Sequence, residues 1–384
     1  MRPTLFRRLA ASSLAVAAVL AAPGPAKPAR QPKYGGTLRV EIGAAVTSLD
    51  PAVESASAEE AAAKDDIASL LYPRRSSEGT YLGGVGSGPF RVAAWEPGRR
   101  VVLAANENFS EGRPFVDWVE IRMGRPARDR LLDVELDHAD IAEIPPEEAR
   151  RASERGVRVS VSLADELVAL VFVPGRPIAE DRRAREALSY SIDRSAIVNF
   201  ILQKQGEPAG GLLPQWSSGA AFLFPTAVST AEARNLWSEI GGSQAIVLGY
   251  DAGDSLEQSI AERIAVDARE AGGSVHVVAV KSGAALASED ARFIRLRMAS
   301  PNPRDALAQY LSTLGPIVGV SDPAPGTMPQ QIYDAERAIV STYRIVPLVW
   351  LPTAYGVGTR VRDWKTPGPG QGWPFADVWL EDAQ

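Results

Sequence analysis

Residues 86–123 read GSGPFRVAAWEPGRRVVLAANENFSEGRPFVDWVEIRM, and their spacing predicts a β-hairpin followed by a looped third strand. Phe90, Val92 and Ala94 alternate with polar or small neighbours, the period of a strand with one buried face. Pro97-Gly98 supplies the turn, because proline presets φ and glycine accepts a positive one. Val101, Leu103 and Ala105 return with period two, a polar loop runs from Asn106 to Pro114, and Val119 and Ile121 open a further strand.

Working outward, Leu38, Val40 and Ile42 predict a strand over 36–43, with Arg39 and Glu41 on its polar face. Residues 157–163 alternate, and Leu167–Val173 is a continuous apolar run suited to a buried strand. Ala184, Ala187, Leu188 and Ile192 form a helical stripe, and Asp193 caps a following helix that carries Ile197, Phe200 and Ile201. Residues 245–280 read as a βαβ unit. Asp254 stands three before Glu257 as a capping box, Leu256, Ile260, Ile264 and Ala268 line one face, and Gly272-Gly273 ends the helix. No phosphate loop sits at its first turn, so the unit reads as scaffold. A strand over 292–298, a helix over 332–343 and a strand over 346–351 complete an α/β chain.

The N-terminus carries Arg2, Arg7 and Arg8 before an apolar run from Leu9 to Ala22. That is the pattern of a cleavable secretory signal peptide over residues 1–29, too short to span a bilayer. The chain has no cysteine, so the exported protein is expected to lack disulfides and a lipid-attachment thiol, and to be free in the periplasm. Net charge is −6, which argues against nucleic-acid or anionic-membrane binding, since phosphate contact requires clustered cations.

Chemistry is sparse. The two histidines, His138 in a turn and His276 among strand valines, offer no metal-ligand spacing. No hydrolase nucleophile motif occurs, and no cofactor, metal or catalytic residue is expected. Glu59-Glu60, Asp65-Asp66 and Glu147-Glu148 are adjacent pairs that splay onto different faces of any helix and read as solvated. Trp95, Trp118, Trp237 and Trp379 read as core.

The opening stretch resembles the family 5 extracellular solute-binding proteins, the peptide receptors of ABC importers. It follows their G-[ST]-G-P-[YF], W-x-P-G and L-x-x-N-x-x-[YF]-x-x-G-x-P pattern at Gly86 to Phe90, Trp95, Pro97, Gly98, Leu103, Asn106, Phe109, Gly112 and Pro114. Residues 34–51, 181–214 and the close at Tyr355, Val361 and Trp364 are similar to further family blocks. The resemblance implies a two-lobe, type II periplasmic-binding-protein fold of mixed sheets, hinged by crossing strands like a Venus flytrap. Lobe I would comprise 34–166 with 350–384, and lobe II 167–349. Residues 52–84 stand where relatives carry a further subdomain, so lobe I is expected to be shortened.

In peptide-binding relatives an aspartate on an A-D-Y-x-x-P loop pairs with the peptide's amino group, sound chemistry for a desolvated ammonium. Ser300 falls at that place here, with Asn302 and Asp305 beyond it; these three are candidate ligand residues or parts of a proline-rich turn. Thr47, Ser48 and Asp50 end the first strand, where crevices of open α/β sheets form, although Asp50 also suits a plain Asp-Pro turn. Trp216, Trp350 and Tyr355 complete the candidates, each alternatively a core residue. The implied role is a monomeric periplasmic receptor that closes on a small solute or peptide and presents it to inner-membrane permease subunits. The alternative is a sensor or scavenging module, or a relative that has lost its ligand.

Overall fold

Pro97-Gly98 turns the chain where expected, with Gly98 at φ 70° and the strands on either side paired antiparallel. The computed structural model describes residues 31–50, 52–53, 55, 57–72, 74–75, 81–82, 87–219, 224–240, 245–281, 289–318 and 326–381. The signal-peptide segment and the Gly84–Gly86 turn lie outside the described residues.

The strands are β1 (Thr37–Glu41), β2 (Arg74–Arg75), β3 (Tyr81–Leu82), β4 (Phe90–Glu96), β5 (Arg100–Ala105), β6 (Trp118–Arg122), β7 (Ile141–Ile144), β8 (Arg158–Phe172), β9 (Glu207–Pro208), β10 (Ile246–Asp251), β11 (Val275–Val280), β12 (Ala291–Arg297), β13 (Ile345–Val357), β14 (Val361–Arg362) and β15 (Trp379–Leu380). The helices are α1 (Ala58–Leu71), α2 (Ala127–Glu135), α3 (Ala149–Glu154), α4 (Pro177–Glu180), α5 (Arg182–Ser191), α6 (Arg194–Ala196), α7 (Gln215–Ser218), α8 (Thr230–Ile240), α9 (Ser255–Glu270), α10 (Pro303–Val318) and α11 (Pro329–Val340).

One mixed sheet runs in the order β11-β10-β12-β8-β13-β7-β1-β6-β5-β4, with β9 added beside β13. β1 pairs parallel to β6 and β7, and β10 parallel to β11 and β12. The two long strands tie the halves together. β13 pairs antiparallel to β8 from Ile345–Val171 to Val357–Arg158, with register shifts between Pro347 and Ala354. Across those shifts Thr353 N donates to Ser162 Oγ at 2.9 Å, so the backbone stays satisfied where the ladder breaks.

The core is correspondingly divided. Leu170, Phe172, Ile197, Leu248, Ile260 and Val346 belong to one apolar cluster. Leu38, Val40, Ile67, Phe90, Leu103 and Phe375 belong to another. The βαβ unit folds as read: β10 and β11 are parallel, Asp254 caps α9 by accepting from Leu256 N and Glu257 N, and Ile260, Ile264 and Ala268 are buried. Asp193 likewise accepts from Ala196 N.

Five expectations are corrected. Val92 is 43% exposed, because β4 is the sheet's edge and a bulge between Val92 and Ala94 breaks its alternation. Glu41 is fully buried beside Arg122 and Arg125 rather than on a polar face. Trp118 starts β6 near the surface, 42% exposed. Phe200 is 80% exposed, since residues 197–201 wind as a π-turn that rotates it off the apolar stripe. The adjacent carboxylates are not uniformly solvated: Glu60 and Asp66 are buried.

Candidate ligand-binding cleft

A cavity of ≈ 750 Å³ opens between the lobes, inside the size range of small-molecule sites. Its floor is made where β8, β12 and β13 cross, by Glu166, Arg295, Leu351 and Pro352. One wall comes from the end of β1, α1 and the β7 exit; the opposite wall is the loop from β10 into α9.

Arg295 is the centre of this lining. β12 alternates, so Arg295 and Arg297 leave the same face, while Leu296 on the opposite face is buried. The Arg295 guanidinium donates to Asp254, lies 3.4 Å from Glu166 Oε2 and 3.6 Å from Glu257 Oε1. Burial alone would lower its pKa, but the surrounding carboxylates outweigh that and raise it. Asp254 does double duty, its Oδ1 capping α9 and its Oδ2 taking the arginine. Glu257 accepts from Asp251 N at 2.9 Å, and burial pushes its carboxyl up to about 7.

Arg297 reaches across to α1, donating to Asp66 Oδ2 at 2.9 Å. A second cavity of ≈ 270 Å³ lies on the far side of that pair and shares Asp66, Arg295, Arg297 and Thr313 with the first. Beside it Asp165 is buried, 3.9 Å from Arg297, and desolvation lifts its carboxyl to about 7. On the β1 side Arg130 donates to Glu143 O at 2.5 Å. A Cβ at position 43 would meet Arg130 Nη2 at 2.9 Å, so a larger residue than Gly43 would push on that guanidinium.

Of the sequence candidates, Tyr355 lines the cleft; its hydroxyl accepts from Trp373 Nε1 at 3.3 Å, and burial raises its pKa. The others are placed elsewhere. Thr47 donates through N and Oγ1 to Glu60 Oε1 at 2.7 and 2.6 Å, Ser48 Oγ accepts from Asp50 N, and Asp50 Oδ1 accepts from Ala52 N. Ser300 Oγ accepts from Asn302 N and Asn302 Oδ1 from Arg304 N, local turns leading into α10, whose first turn holds Asp305. Trp216 donates to Ala164 O at 2.9 Å, and Trp350 is buried in the apolar cluster under α10 and α11. Of the lining residues, sequence reasoning took Glu59, Asp66 and Glu147 for solvated pairs and Asp254 and Glu257 for scaffold, and placed Arg295 only as part of a strand.

Two lobes joined by crossing strands around a polar cleft define the periplasmic binding-protein class. Comparison with known proteins narrows this. Residues 66–316 match the family model for the middle part of the bacterial extracellular solute-binding proteins, family 5, and the chain belongs to that family. It is 27% identical over 126 residues to the oligopeptide-binding protein AppA of Bacillus subtilis, covering 33% of this chain and 23% of that one. It is also 27% identical over 132 residues to the probable D,D-dipeptide-binding protein DdpA of Escherichia coli, covering 34% and 26%. These alignments span about a quarter of each curated relative. Among solved structures, AppA of B. subtilis in complex with a nonapeptide superposes with a TM-score of 0.69 at 14% identity, over 92% of this chain and all of that one. DppA of Helicobacter pylori in complex with the peptide STSA gives 0.71 at 12%, over 91% and 99%. At such identity these likenesses show the fold.

Proposed function

We propose that the protein is the solute-binding receptor of an ABC import system, capturing a small solute between its lobes for delivery to permease subunits. The observation that carries this is the ≈ 750 Å³ cleft lined from both lobes and floored by their crossing strands. A solute touching both walls stabilises the closed arrangement by its differential affinity for it, and the permease reads that form. The chain's part is binding without chemistry, in keeping with a binding-protein family. The proposed lobe limits, 34–166 with 350–384 and 167–349, fall next to the β13 register shifts. Export through residues 1–29 to the periplasm, without a lipid anchor, is proposed from the sequence pattern.

The test is a thermal-shift screen of the purified chain against di- to pentapeptides, oligosaccharides and metal chelates. A ligand at a hundredfold over its Kd is expected to add about 2.7 kcal/mol of stability. No shift across the whole panel would overturn the receptor reading in favour of a relative that has lost its ligand.

A further inference from the structure

The charges of the cleft do not balance. Arg297 is paired with Asp66, Arg130 with Glu143, Arg292 with Glu289 and Arg125 with Asp133. What remains on the lining among the described residues is Arg295 and Lys281 facing Glu59, Glu147, Glu166, Asp251, Asp254 and Glu257. The excess is not spread evenly. Glu166 from the crossing strand β8, and Asp254 and Glu257 from the start of α9, share the guanidinium of Arg295. From α1 and the β7 exit, Glu59 and Glu147 come within electrostatic reach of the same Arg295 and Asp254. Glu147 Oε2 is shut off from solvent with no hydrogen-bond partner among the described residues. One arginine cannot satisfy five carboxylates drawn from both walls, and like charges brought together repel.

We infer that the solute carries clustered positive charge, two or more ammonium or guanidinium groups, seated between Glu59 and Glu147 on one side and the Arg295-bridged carboxylates on the other. The inference rests on the receptor reading and deepens it. Such a solute donates charge-assisted hydrogen bonds to both walls. It also cancels a repulsion that grows as the lobes approach, so its charge is what drives closure. A neutral solute leaves that repulsion in place, and an acidic one adds to it.

The experiment is calorimetric titration of the full mature chain with Lys-Lys, Ala-Ala and Glu-Glu dipeptides and with cadaverine, repeated on the Glu59→Gln, Glu147→Gln double variant. Lys-Lys or cadaverine is expected to bind at least about tenfold tighter than Ala-Ala, with Glu-Glu silent. The double variant is expected to lose about tenfold for the cation and distinctly less for Ala-Ala, which brings a single ammonium. Cadaverine alone assigns the charge to free diamines and Lys-Lys alone to peptides; either supports the inference. Tighter binding of Ala-Ala, Glu-Glu or any neutral solute of the wider panel overturns the charge assignment and leaves the receptor standing. Silence in both panels overturns the receptor reading itself. A double variant that unfolds is replaced by Glu59→Gln alone, in the exposed mouth, with the same cation-specific loss expected.

Discussion

At the scale of the residue, two buried carboxyls respond to pH with opposite sign. Asp140 is almost fully buried and accepts from Arg39 N at 2.8 Å, Arg39 Nε at 3.0 Å, Arg360 Nε at 2.6 Å and Arg360 Nη2 at 2.8 Å. Burial works against its ionisation, but these donors overcome it and hold the pKa below the usual carboxylate value. Its stabilisation is therefore complete above about pH 4 and is lost as pH falls through the depressed value. Asp140→Asn leaves two arginines short of a charge and is expected to cost about 3 kcal/mol at pH 7, with a flatter loss of stability in acid; urea midpoints from pH 7 down to pH 3 measure both. Glu336 is the converse case. Its Oε1 accepts from Leu212 N and Leu213 N at 2.5 and 2.9 Å, yet burial dominates and lifts the carboxyl to about 8. The folded chain keeps that proton while the unfolded chain has lost it, so the contribution is full below about pH 4.5 and disappears as pH rises through about 8. Glu336→Gln retains the acceptor and cannot ionise. Its Tm is expected to fall less between pH 6 and pH 9 than that of the parent, and an equal fall in both would refute the assignment.

At the scale of the element, what was legible in the sequence was whatever a local period or a cap determines. Alternation placed β5 and β6, Pro97-Gly98 placed the hairpin turn between β4 and β5, and Asp254 with Gly272 bounded α9 within a residue. Which face of an element meets the cleft was not legible. Neighbours on a helix are separated by roughly 100°, so Glu59 looks into the cleft while Glu60 turns back to receive Thr47. Nothing local distinguishes that pair from two solvated acids. Asp254 shows both kinds of information in one side chain: the cap could be read from spacing, whereas the ion pair with Arg295 depends on where β12 lies. The two roles can be separated. Asp254→Asn keeps an acceptor for Leu256 N and Glu257 N but removes the charge, and Asp254→Ala removes both. The alanine variant is expected to be less stable than the asparagine variant by about 1 kcal/mol, the worth of an N-cap, read as the difference in urea midpoint at constant slope. Equal midpoints would mean that the cap contributes nothing.

At the scale of the molecule, the lobes are joined in two ways. β8 and β13 run through both halves and slip register between Pro347 and Ala354, which provides a place to bend without breaking the sheet. Across the cleft from that hinge, α1 packs Ile67, Leu70 and Leu71 into the core around Leu38, while its Asp66 holds Arg297 on the strand of the other lobe. The helix occupies the stretch where the family resemblance implies a further subdomain, and the ion pair ties across the cleft in that place. The tie is partly shielded: Asp66 is buried and Arg297 mostly so. Its loss is expected to favour the open arrangement by about 1–2 kcal/mol, and each 1.4 kcal/mol is tenfold in the ratio of closed to open. Asp66→Asn should therefore enlarge the ligand-free molecule in solution scattering, with a tightly held solute restoring the parent's radius of gyration. The neighbouring Asp165 gives a control, because it stands 3.9 Å from the same guanidinium but lies on β8, at the crossing itself. Asp165→Asn should leave the dimensions of the free molecule unchanged. Expansion in both variants would point to general loosening of the hinge, and expansion in neither would show that Asp66 and Arg297 do not hold the lobes together.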